Sequence, residues 1–245
     1  MKTIAMIPAR YAASRFPGKL MQNLSGKPVI VKTYEATLNS ELFDSVYVVT
    51  DSDIIKKAIE DIGGNVIVSQ KKHSCGSDRI AEAVENMQVD IVVNVQGDEP
   101  FIDKLSLKKL IEVFKQDRKQ RIDLASLRVK ITDSAEISNP NNVKVVADSN
   151  GFALYFSRSV IPYKREVNGN TIYYKHKGVY AFRKTALMDF YNSAKTNLEL
   201  SEKIECIRYL EMGKKIKMIE SDLDSIGIDT NQDLEKAIKY IQKQS

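Results

Sequence analysis

Residues 4–19 have the sequence IAMIPARYAASRFPGK, in which a short apolar run meets a proline and then a basic segment. Ile4–Ile7 has the composition of a buried strand, which the proline ends. The segment that follows brings Arg10, Arg15 and Lys19 close together in sequence. Because ligands bind beyond the carboxyl ends of strands in α/β proteins, this pattern predicts a loop that holds a polyanion such as a triphosphate. The alternative is a solvated surface turn, the usual explanation for a single arginine or lysine.

The hydrophobic pattern of the whole chain predicts an α/β fold. In the first half, strands are predicted at 45–50, 65–69 and 90–95, and helices at 28–39, 51–62, 78–86 and 105–116. In the second half, strands are predicted at 124–131, 143–147, 153–156, 173–182 and 216–220, and helices at 184–193, 201–212 and 231–244. Apolar strands alternating with helices predict a mainly parallel sheet covered on both faces. We therefore expect one three-layer domain over 1–245, with an antiparallel insertion at approximately 124–185.

Composition argues against several classes of protein. The 245 residues are 43% hydrophobic and 28% charged, which is typical of a globular enzyme or binding protein. The formal net charge is only +5 and the cations are interspersed with acids, so we expect a small anionic substrate and no nucleic acid. The two cysteines lie far apart and indicate neither a disulfide framework nor a metal cluster. No apolar run approaches the roughly 20 residues of a membrane span, and an early proline and arginine interrupt any signal-like segment, so we expect a cytoplasmic protein.

Two aspartates follow apolar runs and are candidate metal ligands. Asp98 lies in the segment QGDEP directly after the predicted strand 90–95, and a carboxylate there can hold Mg²⁺ while phosphates fill other positions. We expect Gly97 to let the backbone approach a ligand closely. Asp229 follows a second short apolar run and a glycine, at a second predicted strand exit. The pair favours metal binding. The alternatives are a capping turn at Asp98 and a helix cap at Asp229.

The segment HSCGSDR at 73–79 combines small residues with the start of a predicted helix. Hydroxyl groups, backbone amides and the positive end of the helix dipole suit ribose, phosphate or a base edge. Ser77 is alternatively an ordinary N-cap of that helix.

The strand predicted at 173–182 carries a second group of polar side chains. Alternation places His176 and Tyr180 on one face, where they could line one pocket, and Lys175 and Lys177 on the other. For the lysines, the alternative is a solvated edge strand.

The glutamates of the next predicted helix are spaced three residues apart. Glu199, Glu202 and Glu205 could form an acidic helix face. Pairing of Glu202 or Glu205 with Arg208 is the structural alternative.

Ten sequence blocks, in order, resemble the 3-deoxy-manno-octulosonate cytidylyltransferases, or CMP-Kdo synthetases. The blocks are residues 7–10, 14–19, 26–28, 50–51, 76–79, 94–100, 142–146, 153–158, 176–180 and 227–230. The resemblance extends from residue 4 to about 235. Sialic-acid cytidylyltransferases share the Pro-Ala-Arg start but usually lack the SRFPGK that follows it here.

The resemblance implies a nucleotidyltransferase with a nucleotide-diphospho-sugar-transferase-like fold. Its reaction is transfer of a cytidylyl group from CTP to the sugar acid Kdo, which gives CMP-Kdo and pyrophosphate for the inner core of lipopolysaccharide. The implied cofactor is Mg²⁺. The implied assembly is a homodimer, to which the insertion at 124–185 contributes contacts as well as part of the sugar site.

The resemblance also implies roles for individual residues. The triphosphate would be held by Arg10, Arg15 and Lys19, and the cytidine would lie among Gly76, Ser77, Arg79 and Gln96. The metal would be bound by Asp98 and Asp229, which with Arg10 and Lys19 form the implied catalytic set. The sugar acid would face Arg158, His176, Tyr180, Glu205 and Cys206.

Three positions depart from the usual family sequence. Cys206 stands where a glutamine is usual, Cys75 replaces a serine, and Lys177 replaces an apolar residue. Because a thiol hydrogen-bonds more weakly than an amide, Cys206 leaves the acceptor sugar open, and 8-amino-3,8-dideoxy-manno-octulosonate is one alternative. A non-catalytic nucleotide-binding homologue is the alternative from another class.

Overall fold

The structure is a computed structural model that describes residues 1–12, 16–166, 170–222 and 227–243. Arg15, which is predicted to bind the triphosphate, therefore lies outside the described residues. The chain divides into two compact units, one formed by Met1–Lys108 with Ser225–Ser245 and the other by Lys109–Asp224. The expectation of a single domain with an insertion at 124–185 stays a prediction.

In chain order the strands are β1 (Thr3–Ala9), β2 (Asn23–Leu24), β3 (Lys27–Pro28), β4 (Ser45–Thr50), β5 (Val66–Val68), β6 (Ile91–Asn94), β7 (Leu124–Ile131), β8 (Lys144–Ala147), β9 (Ala153–Ser157), β10 (Tyr173–Arg183) and β11 (Ile216–Glu220). The helices are α1 (Val29–Leu38), α2 (Asp53–Glu60), α3 (Gly76–Val84), α4 (Lys104–Gln116), α5 (Ser134–Ser138), α6 (Lys184–Asn192), α7 (Asn197–Glu202), α8 (Cys206–Glu211) and α9 (Asn231–Gln242). A short 3-10 helix spans Lys19–Met21.

The first unit is built on a parallel sheet with the strand order β6-β1-β4-β5. β1 runs parallel to β4 from Ile4 to Ala9 and parallel to β6 from Thr3 to Met6. The apolar side chains of β1 and β6 are almost completely buried, as expected for strands covered on both faces. Because β1 and β6 are neighbours, the segments that follow them, which carry the basic residues and Asp98, leave the sheet side by side.

The second unit contains the predicted antiparallel strands. β7 lies between β11, to which it is parallel, and β10, to which it is antiparallel. β8 pairs with β10 and with β9, both antiparallel. A tight turn joins the antiparallel strands β8 and β9, and in it Gly151 has a φ of 75°, which glycine adopts without strain.

The helix predicted at 201–212 is wrong. The segment forms two short helices, α7 and α8, and Lys203 between them has a left-handed φ of 55°. Arg208 of α8 pairs with Glu199 of α7, which packs the two helices against each other and requires the chain to bend between them. α5 was not predicted; it is a single short helix whose N-cap, Asp133, accepts a bond from the amide of Ala135.

Among the residues that the structure describes, no helix is both long enough and apolar enough to cross a membrane.

Candidate active site

A pocket of about 220 Å³ lies in the first unit, beyond the carboxyl ends of β1 and β6. Its wall combines the segments after these two strands, the start of α3 and the segment before α9. The lining residues are Pro8, Ala9, Arg10, Phe16, Lys19, Leu20, His73, Ser74, Cys75, Gly76, Arg79, Gln96, Gly97, Asp98 and Asp229. The structure thus brings together seven of the predicted site residues, namely Arg10, Lys19, Gly76, Arg79, Gln96, Asp98 and Asp229.

Lys19 connects the two aspartates of the pocket. Its Nζ donates to Oδ2 of Asp98 and, at 2.9 Å, to Oδ1 of Asp229. Burial alone would lower the pKa of Lys19, but the charges and hydrogen bonds of the two aspartates raise it above its ordinary value. Lys19 is therefore a stable cation in the pocket.

The segments that carry the aspartates are joined by their backbones. The amide of Ile228 donates to the carbonyl of Asp98 at 2.9 Å, which fixes Asp229 beside it. Asp229 lies in a loop and not at the end of a strand, although residues 223–226 before it are outside the described part. The alternative role of Asp229 as the cap of α9 is wrong, because Thr230 occupies that position in a capping box with Asp233.

The donor set of the pocket fits Mg²⁺. Within the described residues, no group of three or more His, Cys, Asp or Glu side chains is arranged to hold a metal ion, so the pocket offers two carboxylates. Mg²⁺ is usually bound by one or two carboxylates together with water and substrate phosphates. Asp98 and Asp229 are therefore the residues that would hold it.

Two glycines allow close packing of the pocket wall. A Cβ added to Gly97 would lie 3.2 Å from both Cδ1 of Ile30 and the carbonyl oxygen of Pro8. A Cβ on Gly76 would lie 3.1 Å from Cγ of Pro8. Packing within the protein favours glycine at position 97, and close approach of a ligand there stays a prediction.

Arg79 is the cation on the α3 side of the pocket. Its Nη2 donates to Oδ2 of Asp51 at 3.1 Å, while Nη1 is buried and has no hydrogen-bond partner among the described residues. Burial alone would raise the pKa of Asp51, but Arg79 lowers it below its ordinary value. Arg79 lines the pocket, but Nη1 has no accessible surface of its own, so a ligand would reach this unsatisfied donor only if the guanidinium shifted. Gln96, which also lines the pocket, donates from Nε2 to Oδ1 of Asn94 at 3.3 Å.

Ser77 does not occupy the position we considered for it. α3 begins at Gly76 with Cys75 as its N-cap, so Ser77 lies inside the first turn. It is completely buried and is not among the residues that line the pocket. Its assignment to the cytidine site stays a prediction.

His73 lines the pocket, and the sequence predicts it only as part of the segment 73–79 and assigns it no role of its own. Its Nε2 lies 2.7 Å from Oε2 of Glu82, which also accepts from Oγ of Ser69 at 2.8 Å. Burial alone would raise the pKa of Glu82, but these two partners lower it. The only available signal was its position at the start of the small-residue segment that leads into α3.

The second unit brings together four of the residues predicted to face the sugar. The rings of His176 and Tyr180 are 5.3 Å apart, as their predicted common face requires. The hydroxyl of Tyr180 donates to the sulfur of Cys206, and Glu205 acts on both groups through its charge. Burial and the Glu205 charge raise the pKa of the Cys206 thiol, so it stays protonated and unreactive.

His176 is held as a neutral ring. Its Nε2 lies 2.8 Å from Oγ of Ser126, which in turn donates to the carbonyl of Val179 at 2.8 Å. Although part of the residue is accessible, its ring packs edge-on against Phe156. This desolvation, together with the charge of Lys177, lowers its pKa to about 3. Oγ of Ser126 also lies 3.1 Å from the carbonyl of Lys177, so its hydroxyl hydrogen has two carbonyl acceptors, and the tautomer with the proton on Nε2 of His176 gives the His176–Ser126 contact its donor.

The guanidinium of Arg158 is hydrogen-bonded to backbone carbonyls of the protein. Its three guanidinium nitrogens donate to the carbonyls of Glu202, Lys203 and Pro140 at 2.7, 3.3 and 3.0 Å. It therefore caps the end of α7, and its predicted contact with the sugar stays a prediction.

Two predictions for the second unit are wrong: the glutamates do not form an acidic helix face, and Lys175 does not lie on a solvated edge strand. Glu199 is buried against Arg208, Glu202 accepts from Ser157 at 2.6 Å, and Glu205 lies in the break between the helices. Lys175 is 9% exposed and pairs with Glu136 at 3.2 Å, because β10 is flanked by β7 and β8.

Comparison with known proteins adds independent findings. A family model described as Cytidylyltransferase matches residues 4–216. The 3-deoxy-manno-octulosonate cytidylyltransferase of Christiangramia forsetii is 65% identical over 98% of this chain and 97% of its own length. That of Flavobacterium johnsoniae is 60% identical over 97% of both chains.

Solved structures agree with these relatives. A CMP:2-keto-3-deoxy-manno-octonic acid synthetase complexed with CTP superimposes with a TM-score of 0.94 at 34% identity, over 100% of both chains. A 4-diphosphocytidyl-2C-methyl-D-erythritol synthase from Anaerococcus prevotii has a TM-score of 0.66 at 19% identity over 98% of this chain and 99% of its own, which shows a shared fold alone. The predicted α/β fold class is thereby confirmed.

Proposed function

This chain belongs to the cytidylyltransferase family, among the 3-deoxy-manno-octulosonate cytidylyltransferases, and we propose that it transfers the cytidylyl group of CTP to Kdo. This proposal rests on the 65% identity, over 98% of the chain, to a relative of that name. The pocket supports the same chemistry, because it holds cations and paired carboxylates at the end of a parallel sheet.

In the proposed reaction, a hydroxyl oxygen of the sugar acid attacks the α-phosphorus of CTP. A bond forms between that oxygen and phosphorus, and the bond from the α-phosphorus to pyrophosphate breaks with its electron pair on the leaving oxygen. The hydroxyl proton is released. Negative charge grows on the phosphoryl oxygens and on pyrophosphate, so fixed cations at these positions lower the barrier.

We assign the triphosphate to the basic side of the pocket. Arg10 and Lys19 supply positive charge there, and the start of α3 directs its backbone amides and its dipole toward the same space. Asp98 and Asp229 would hold Mg²⁺, which when bound supplies charge neutralisation and activation of the attacking hydroxyl. Arg15, which precedes Lys19 in the same segment, is assigned to the triphosphate by resemblance alone.

We assign the cytidine to the α3 side. Arg79 carries the unsatisfied Nη1 donor, and Gln96 lines the same pocket. Bound nucleotide acceptor atoms would satisfy the Arg79 donor, which otherwise costs the protein free energy.

We assign the sugar acid to the second unit. His176, Tyr180, Glu205 and Cys206 form one cluster, in which His176 acts as a neutral hydrogen-bonding group and not as a cation. Arg158 contributes by holding the end of α7, which leads into Glu205.

We further propose a cytoplasmic homodimer whose product supplies lipopolysaccharide synthesis. CTP is a cytoplasmic metabolite, and CMP-Kdo is an activated sugar that suits a glycosyl transfer. Exposed apolar side chains in the second unit support a partner surface there, among them Tyr163 at 85% and Leu154 at 61% exposure. Sedimentation analysis of the purified chain would test the dimer.

The function is tested by measuring pyrophosphate release from CTP in the presence of Kdo and Mg²⁺. We expect release to require all three components, with CMP-Kdo identified by mass spectrometry. Omission of Kdo, removal of Mg²⁺ with a chelator, and replacement of CTP by UTP are the controls. CTP binding without pyrophosphate release would instead favour the non-catalytic homologue.

A further inference from the structure

The two carboxylates that fit a metal ion are already occupied by a cation of the protein. Lys19 Nζ bonds to Oδ2 of Asp98 and to Oδ1 of Asp229 at the same time. The Lys19 side chain is 16% exposed and that of Asp98 24%, so this contact is largely protected from solvent, whereas Asp229 is 59% exposed. Protection from solvent makes charge interactions at this position stronger than at an open surface.

Lys19 and a divalent cation would compete for the same oxygens. Carboxylate oxygens are the ligands that Mg²⁺ prefers, and an ammonium group in contact with both aspartates repels a second cation there. In the nucleotide-free protein, Lys19 therefore compensates the two carboxylates internally.

Only the side chain of Lys19 needs to move to release the carboxylates. Its backbone is fixed, because its amide donates to the carbonyl of Phe16 at 3.1 Å and its carbonyl accepts from the amide of Gln22 at 3.2 Å. Its ammonium sits on a flexible stem and presents rotatable donors that suit carboxylate or phosphate equally. Arg10 lines the same pocket, so a bound triphosphate offers Lys19 an alternative anion within it.

We propose that Lys19 is an exchangeable counter-cation that keeps Asp98 and Asp229 from ligating a divalent metal until a triphosphate draws it away. Metal loading is then coupled to nucleotide binding, and the free protein has low affinity for divalent cations. The inference rests on the proposed function for the identity of the triphosphate. The competition between Lys19 and a metal ion, however, is a property of the free protein.

The test measures Mn²⁺ binding to nucleotide-free protein by electron paramagnetic resonance, in which bound Mn²⁺ loses its free-ion signal. We expect Lys19→Met to bind Mn²⁺ at least about tenfold more tightly than the unmodified chain, because a fixed positive charge leaves the site. Lys19→Arg keeps the charge and should bind as weakly as the unmodified chain. Lys27→Met is the matched control, because Lys27 pairs with Glu35 away from the pocket lining and also loses one positive charge.

The double variant Lys19→Met with Asp98→Asn tests whether the additional Mn²⁺ binds at Asp98. It should lose the gained affinity, and circular dichroism should show that all variants are folded. Equal Mn²⁺ affinity of folded Lys19→Met and the unmodified chain would overturn the inference, as would tight binding retained in the double variant. No step of this test requires turnover. A negative Mn²⁺-binding result would therefore not contradict the proposed cytidylyl transfer. Likewise, absence of CMP-Kdo synthesis by the unmodified chain would not contradict competition between Lys19 and a metal ion.

Discussion

Nη2 of Arg79 donates to Oδ2 of Asp51 at 3.1 Å, and Nη1 of the same guanidinium is buried without a hydrogen-bond partner among the described residues. An unsatisfied buried donor of a charged group is costly, and a ligand that supplies an acceptor recovers that cost. We expect Arg79→Lys, which cannot present two donors in this geometry, to raise KM for CTP at least about tenfold, since charge-assisted bonds contribute strongly. Steady-state kinetics with varied CTP measures this.

Thermal unfolding separates binding from folding for Arg79. The stabilisation by added CTP should be smaller in Arg79→Lys than in the unmodified chain, because ligand stabilisation follows affinity. The exposed Arg118 provides the control, and Arg118→Lys should leave both measurements unchanged. An unaltered KM and thermal shift for Arg79→Lys would remove Arg79 from the nucleotide site.

Asp98→Asn tests the charge of the proposed metal ligand while keeping its shape. We expect turnover to fall at least about a hundredfold, the scale seen when a charge-stabilising group is lost from an active site. The measurement is kcat at saturating CTP, Kdo and Mg²⁺. Asp61→Asn, on the exposed α2 pair with Lys57, is the control and should keep normal turnover. Near-normal turnover of Asp98→Asn would show that Asp98 is not a metal ligand.

Most strands and most residues that line the first-unit pocket can be predicted from the sequence because their signals are local, whereas the two-residue strands β2 and β3 cannot. β4 and β7 have the predicted bounds, since each is an apolar run between polar segments. The basic segment and the two aspartates were identified from their positions after apolar runs. Their mutual contact was not predicted, because Lys19 and Asp229 are 210 residues apart in sequence. Periodicity carries no information on such a pairing.

The second unit shows where local patterns fail. The composition of segment 201–212 predicts one helix, whereas the Glu199–Arg208 pair and the caps on α7 determine its path. The sequence pattern predicts that Lys175 is exposed, but the neighbouring strands of the sheet bury it. Burial depends on strand order, which a single strand's sequence does not encode.

The Glu199–Arg208 pair provides a stability prediction. Nε and Nη2 of Arg208 each donate to Glu199 at 2.6 Å, and the guanidinium lies 3.8 Å over the ring of Phe190. Glu199→Gln leaves a buried guanidinium without its counter-charge, so we expect a loss of about 3 kcal/mol or more in the free energy of unfolding. Urea unfolding measures it.

The exposed pair of Lys57 and Asp61 is the reference for the expected loss in the free energy of unfolding. Lys57→Met breaks the surface pair with Asp61, and such pairs contribute about 0.5 kcal/mol or less. If Glu199→Gln costs no more than Lys57→Met, the buried pair does not hold α7 and α8 together.

His176 predicts a dependence of stability on pH. Its pKa in the folded protein is about 3, below the ordinary value of about 6.5, so the unfolded chain binds a proton that the native state excludes. The free energy of unfolding should therefore fall as the pH drops from about 6.5 toward 3, by at most about 1.4 kcal/mol per pH unit from this group. His176→Gln should flatten that slope in urea unfolding between pH 6 and 4. Identical slopes would show that His176 titrates normally.

Cys206 tests whether its departure from the family sequence affects the acceptor. The residue is fully buried and accepts the hydrogen bond of the Tyr180 hydroxyl, so its effect on the sugar passes through Tyr180. Cys206→Gln adds volume to this packed position and displaces that hydroxyl, which we expect to cost about 1–3 kcal/mol in stability. It should also change the ratio of kcat/KM for Kdo over 8-amino-3,8-dideoxy-manno-octulosonate by at least about fivefold, within the range that one pocket contact contributes.

Cys206→Ser is the matched control for this selectivity change. A hydroxyl accepts the Tyr180 bond at nearly the same volume, so the kcat/KM ratio of the two sugars should stay that of the unmodified chain. A shift in Cys206→Gln alone would mean that the position of the Tyr180 hydroxyl sets acceptor preference. The same ratio in all three proteins would make the cysteine incidental to selectivity, because a displaced Tyr180 hydroxyl would then have no consequence for either sugar.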